Sequence, residues 1–209
     1  MPEFETRERL LRVAIDLFAA QGFAGTSIRD IAKAMGMSIS NIYHYYGSKE
    51  GILLAILDRA SWPLLEVLEQ TATLDVAPLE RFARLIDEHV RLSHSVNREA
   101  RIYTIDLCQL PPEAREATRL VQRRILDVYL GQLQPLADAG LVRSREVTVT
   151  AFNVMAVINW SLRWYRPDGA LSVAQLTDEL RTFILNGALV TSAVEEIARG
   201  RSGTAAPGV

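Results

Sequence analysis

The placement of Ser27, Gly36 and Ser38 constrains this chain more than any other feature. Ser27 is a good helix cap with Asp30 three residues on, and Ile28, Ile31, Ala32 and Met35 recur with the period of one helix face. Gly36 ends that segment, because glycine adopts the left-handed conformation a sharp turn needs. Ser38 can cap a second segment, Ile39 to Tyr46. The spacing predicts two helices of about two turns each around a tight turn at Gly36 and Met37. Ala32 is small where the two must approach closely.

The flanking sequence extends this pattern. From Thr6 to Gln21 the residues Leu10, Leu11, Ala14, Leu17 and Phe18 form one apolar face, and Gly22 supplies a stop. Ser48, with Glu50 and Gly51 nearby, opens a fourth helix through Ile52 to Leu57, which Pro63 is expected to kink or end. Beyond Pro78 the pattern stays helical to Gly200, with breaks expected at Asn97, at Pro111 and Pro112, at Gly140, and from Pro167 to Gly169. Ser172 caps a last long helix whose apolar face includes Leu176, Leu180, Phe183, Ile184 and Gly187. The expected fold class is therefore all-α. A three-helix unit over residues 1–50 precedes a helical domain over 51–200 and a disordered tail over 201–209.

Two helices around such a turn have the geometry of a helix-turn-helix, whose second helix enters the DNA major groove. If Ile42 faces the core, then Ser38, Ser40, Asn41, Tyr43, His44 and Tyr45 are left available to a groove. Tyr43, Tyr45 and Tyr46 either form a ligand surface together, or two of them pack against the first helix and one is free. Bulk charge does not assist: the formal net charge is −2, and residues 1–60 hold seven Lys or Arg against seven Asp or Glu. DNA binding must then rest on local placement.

Other functions lack their patterns. Asp87, Glu88, His89, His94, Asp106 and Cys108 could serve an enzyme, but His89 and His94 lie five residues apart, not the three or four that put two metal ligands on one helix face. No phosphate-cradling, dinucleotide or nucleophile-elbow motif occurs, and Cys108 has no nearby base or second cysteine. No catalysis, metal or resident cofactor is expected. The apolar run Val149 to Trp160 is broken by Thr150, Asn153 and Asn159, and the first residues lack a secretion signal, so the reading is cytoplasmic with no membrane partner. A helical adaptor that binds protein through its C-terminal helices is the rival class.

Thr26-Ser27-Ile28, Ile31-Ala32, Gly36-Met37-Ser38, Ile42-Tyr43 and Tyr45-Tyr46-Gly47-Ser48-Lys49-Glu50 resemble the signature of the TetR family over about the first 55 residues. The first-helix pattern of Leu10-Leu11, Ala14, Leu17-Phe18 and Gly22 matches too. The resemblance implies that Thr26, Tyr43 and Lys49 hold DNA phosphates and that Ser40, His44 and Tyr45 face bases. Hydroxyls at helix N-termini, those of Ser27 and Ser38, suit phosphate oxygens as well. Tyr46 stands where the family more often has phenylalanine, a core position.

For the remainder, the resemblance implies a variable helical domain that dimerises through its last two long helices and encloses a small-molecule effector. A homodimer built on Leu176, Leu180, Phe183, Ile184 and Gly187 with residues near Phe152 would call for a near-palindromic double-stranded operator. The expected helix Glu146 to Arg166 mixes Asn153, Asn159, Trp160, Arg163, Trp164 and Tyr165 with apolar residues, which suits a pocket lining or a core helix with tryptophans at the dimer interface. The stretch Asn159-Trp160, Trp164 to Gly169 and Leu171-Ser172 resembles family members that govern fatty-acid, aromatic-acid or steroid degradation and sense acyl-CoA thioesters. That implies arginines at a pocket mouth, with Arg101, Arg163 and Arg166 as candidates, and a lining of Tyr103, Met155, Asn159, Trp160 and Trp164. Repression is the family expectation.

Overall fold

The computed structural model describes residues 3–95 and 112–204. Arg101, Tyr103, Asp106, Cys108 and the break expected at Asn97 lie outside the described residues. Nine helices occur among the described residues: α1 (Glu3–Gly25), α2 (Ile28–Met35), α3 (Ile39–Tyr46), α4 (Lys49–Ala72), α5 (Pro78–Ser95), α6 (Pro112–Asp138), α7 (Val147–Trp164), α8 (Val173–Ala188) and α9 (Thr191–Thr204). The fold is all-helical, as the periodicity predicts. The described residues divide into two compact units, one made of residues 3–63 with 112–122 and the other of residues 64–95 with 123–204. No helix among the described residues is long and apolar enough to cross a membrane.

In the first unit the capping chemistry acts as the sequence indicates. Gly22, at φ 74° and ψ 162°, breaks the regular run of α1. Ser27 accepts the Asp30 N–H at 3.2 Å while the Asp30 carboxylate accepts the Ser27 N–H at 2.8 Å, a complete capping box. Gly36 takes φ 65° and ψ 33°, and the Met37 N–H reaches back to the Ala32 carbonyl at 3.0 Å. Ser38 then caps α3 by accepting the Asn41 N–H. Leu10, Ala14 and Phe18 of α1, Ile31 and Met35 of α2, Ile42 of α3, and Ile52 and Ile56 of α4 close one apolar core.

Pro63 does not end the fourth helix, which continues to Ala72. The lost backbone bond is outweighed by apolar packing on both sides of it, with Ile56 and Leu57 buried before it and Leu65 and Leu68 buried after it. The division between the two units falls at this residue.

In the second unit α5 packs against α7, α8 and α9, and α8 against α7. The buried Arg181 of α8 donates to both carboxylate oxygens of Asp87 on α5, at 2.9 and 3.0 Å, and to Asp178 at 2.6 Å. The helix capped by Ser172 is not the last one. It stops at Leu189, which forms an antiparallel bridge with Val142, while the Val190 N–H bonds the Leu141 carbonyl. Neither Gly nor Pro marks this break, because it is made by pairing with a distant loop. Helix α9 then runs to Thr204, into the segment expected as a disordered tail.

Candidate nucleic-acid interface

Helices α2 and α3 and the start of α4 surround an open groove. It is lined by Thr26, Ser27, Ile28, Arg29, Ile39, Tyr43, Ser48, Lys49 and Glu50, with Ala24 and Gly25 at its edge. Lys49 is fixed by the end of α1: its ammonium donates to the Phe23 carbonyl at 2.9 Å and the Thr26 carbonyl at 3.0 Å, and stands 4.1 Å from the centre of the Phe23 ring. An ammonium has three donors, so one remains for an anion in the groove. Ring face and carbonyls together hold the charge at a defined point.

The other expected phosphate contacts divide. Tyr43 is 47% exposed on the groove. Thr26 is only 1% exposed, and its hydroxyl donates to the Gly22 carbonyl at 2.9 Å and the Leu17 carbonyl at 3.3 Å. The expectation that its side chain holds phosphate is therefore corrected: the break at Gly22 turns Thr26 back onto the orphan carbonyls of α1. The Ser27 and Ser38 hydroxyls are exposed, and each accepts one capping N–H, from Asp30 and Asn41. Ser27 also donates to the Asp30 carboxylate at 2.6 Å, and these bonds hold the Asp30 pKa below the usual carboxylate range.

Along α3 the reading face is narrower than the sequence suggests. Ser40, Asn41 and His44 are exposed. Tyr45, expected to face bases, is half-buried, packs against the apolar core and meets the His44 ring edge-on at 5.6 Å. Tyr46 also packs on the core, its hydroxyl donating to the Arg7 carbonyl at 3.2 Å beneath the Arg7 guanidinium. Two of the three tyrosines thus pack and one is free, which was the second of the two sequence alternatives. Arg29 and Ile39 were passed over in the sequence, yet both line the groove. For Arg29 the signal was its place two residues after Ser27, off the apolar face of α2.

In the second unit, α7 buries Thr150, Ala151, Val154, Ile158, Ser161 and Leu162. Its opposite face carries Val149, Phe152, Trp160 and Trp164 into solvent, with the Arg163 guanidinium 5.2 Å from the Trp160 ring centre. Trp160, Arg163 and Trp164, expected around an effector, therefore sit on the outward face instead, and Arg166 is exposed beyond the helix end. Met155 and Asn159 are half-buried at the margin between the faces.

The expected dimer residues divide in the same way. Leu176, Leu180 and Ile184 are buried within the protomer, Ile184 at the floor of an open groove, whereas Phe152 and Gly187 are exposed and Phe183 is 67% exposed. Asn153, Val157, Phe183 and Gly187 line a groove of about 190 Å³ on this face.

The same unit holds two buried polar pairs. His89 Nδ1 shares a hydrogen bond with the Tyr129 hydroxyl at 2.8 Å. His94 Nε2 lies 2.8 Å from Ser161 Oγ, which itself donates to the Ile158 carbonyl, so His94 donates. Burial lowers both histidine pKa values to about 4, with His94 a further cause at His89, and raises that of Tyr129.

Residues 10–56 match the model for bacterial regulatory proteins of the tetR family, and residues 75–188 match that for the tetracyclin repressor-like C-terminal domain. The HTH-type transcriptional repressor KstR2 of Rhodococcus jostii (strain RHA1) is 28% identical over 197 residues, covering 87% of this chain and 90% of that protein. Among solved structures, the regulator PfmR from Thermus thermophilus is 29% identical with a TM-score of 0.79, over 86% of this chain and 98% of that one. AibR, crystallised with isovaleryl coenzyme A and operator DNA, is 26% identical with a TM-score of 0.76, over 85% of this chain and 97% of its own.

Proposed function

Since the chain belongs to the TetR family of transcriptional regulators, we propose that it is a homodimeric repressor that holds a near-palindromic operator and releases it when a small effector, an acyl-CoA thioester, binds its C-terminal unit. The observation that carries the DNA-facing part is the single groove on which Arg29, Ile39, Tyr43 and Lys49 converge at the helix-turn-helix. Arg29, Tyr43 and Lys49 hold phosphates and set the register, while the exposed Ser40, Asn41 and His44 meet base edges. Such a protein works where the chromosome is, in the cytoplasm.

The aromatic outward face supports the homodimer. Phe152, Trp160, Trp164 and Phe183 are large apolar side chains left in water on one protomer, and a patch of this kind marks an interaction surface. Gly187 and the adjoining groove leave room for a partner's side chains. Covering the patch with its own copy gives a two-fold dimer, matched to a two-fold operator.

Two observations support the acyl-CoA. AibR, similar over most of both chains, binds isovaleryl coenzyme A, and residues 159–172 resemble the acyl-CoA-sensing branch. Met155 and Asn159 are the described residues that fit a pocket margin, and the exposed Arg166 suits the phosphates. For release, the effector must bind the DNA-incompetent state more tightly. Helix α4 gives a covalent route, since its first half carries Lys49 and its second half belongs to the effector-binding unit.

Operator release in the presence of an acyl-CoA panel tests this reading. An acyl-CoA should release the operator where coenzyme A alone and the free acids do not. Stabilisation and release by small free aromatics, with no response to any acyl-CoA, would overturn the effector class.

A further inference from the structure

Helix α3 has few side chains left to present once its internal commitments are counted. The Ser38 oxygen accepts the Asn41 N–H, Ile42 is buried, and Tyr45 and Tyr46 pack on the core. The outward side chains are those of Ile39, Ser40, Asn41, Tyr43 and His44, of which only Ile39 has no polar atom. It is 39% exposed in the first turn of the helix, one turn before Tyr43, and lines the same groove. Residues i and i+4 share a helix face, and the N-terminal residues of a reading helix are those that reach base edges.

Ile39 therefore offers an apolar surface on a groove that also carries the cations of Arg29 and Lys49. In the major groove the apolar group on a base edge is the C5 methyl of thymine. The cations that line the same groove, Arg29 and Lys49, fix position without distinguishing bases. We infer that Ile39 is a specificity-determining residue that packs against a thymine methyl once in each operator half-site. The inference rests on the operator-binding reading above and adds a base identity to it.

The test starts from duplexes that the full-length protein enriches from randomised DNA. Each thymine of an enriched duplex is replaced in turn by deoxyuridine, which keeps every hydrogen-bonding group and removes only the methyl. One thymine per half-site should weaken wild-type binding about fourfold when its methyl is lost, the value of roughly one methyl group withdrawn from water. Ile39→Ala should bind thymine and uracil duplexes equally at that position, and Ile39→Val should keep most of the discrimination. Because the side chain is exposed, Ile39→Ala should also melt at the wild-type temperature. If no thymine shows a methyl dependence, or if the dependence survives unchanged in Ile39→Ala, the inference fails while operator binding stands. If no duplex is enriched at all, both fail together.

Discussion

Lys49 and Phe23 are joined twice, by a 2.9 Å hydrogen bond from the ammonium to the Phe23 carbonyl and by the ammonium's position 4.1 Å from the centre of the Phe23 ring. The lysine is therefore a strut of the first unit as well as a charge on its groove. Lys49→Met keeps much of the apolar stem but loses both carbonyl bonds and the ring contact. It should lower unfolding stability by about 2 kcal/mol. Binding to specific and unrelated duplexes should fall alike, with a shallower salt dependence. Urea unfolding and binding titrations at several salt concentrations read the two effects separately.

Gly51 lies in the first turn of α4, where helix propensity alone favours alanine by about 1 kcal/mol. A Cβ there would collide with the Tyr46 carbonyl oxygen, a backbone atom that cannot swing away. Gly51→Ala should accordingly destabilise the protein, by about 1–3 kcal/mol. Gly131 lies within α6 with nothing near its missing Cβ, and Gly131→Ala should stabilise. Opposite shifts of the urea midpoint for the same substitution would verify the contrast.

The capping signals at Ser27, Gly36 and Ser38 were legible because each acts within four residues, and the first unit follows from them. The path of α4 through Pro63 and the break at Leu189 were not, since packing decides one and a bridge to Val142 the other. The same limit governs the sites. Helix α7 carries large apolar residues on both faces, so its period does not distinguish the face with Ile158 from the face with Trp160, and the tryptophans read equally well as pocket or surface. Thr26 has the residue type of a phosphate ligand, and only the turn at Gly22 shows its hydroxyl spent on backbone. Ile39 was missed because an isolated isoleucine carries no chemistry until its exposure is known.

The buried histidines give the C-terminal unit a pH dependence of definite sign. Both have folded pKa values near 4 against an ordinary 6.5, so between these values the unfolded chain binds more protons than the folded one. Their contribution to stability is full above about pH 6.5 and is lost as the pH falls towards 4. The urea midpoint should therefore drop between about pH 7 and about pH 5. His94→Gln can still donate to Ser161, and should shrink that drop. An equal drop in the variant would remove His94 from the account.

Phe183 and Leu176 lie on the same helix and should respond differently. Phe183→Glu places a charge on an exposed site and should give a folded monomer whose melting temperature is lower and no longer depends on protein concentration, with greatly weakened operator binding. Leu176→Ala removes a buried side chain and should cost about 2–5 kcal/mol of stability without selectively dissociating the dimer. Sedimentation and thermal melting together separate these outcomes.

The central claim is a two-fold protein reading a two-fold operator, and sequencing the duplexes that the full-length protein retains from a randomised pool at physiological salt tests it most directly. A near-palindrome whose half-sites are centred roughly 34–36 Å apart, or a multiple of that spacing, should be enriched. Retention of all sequences alike, abolished by modest added salt, would contradict it.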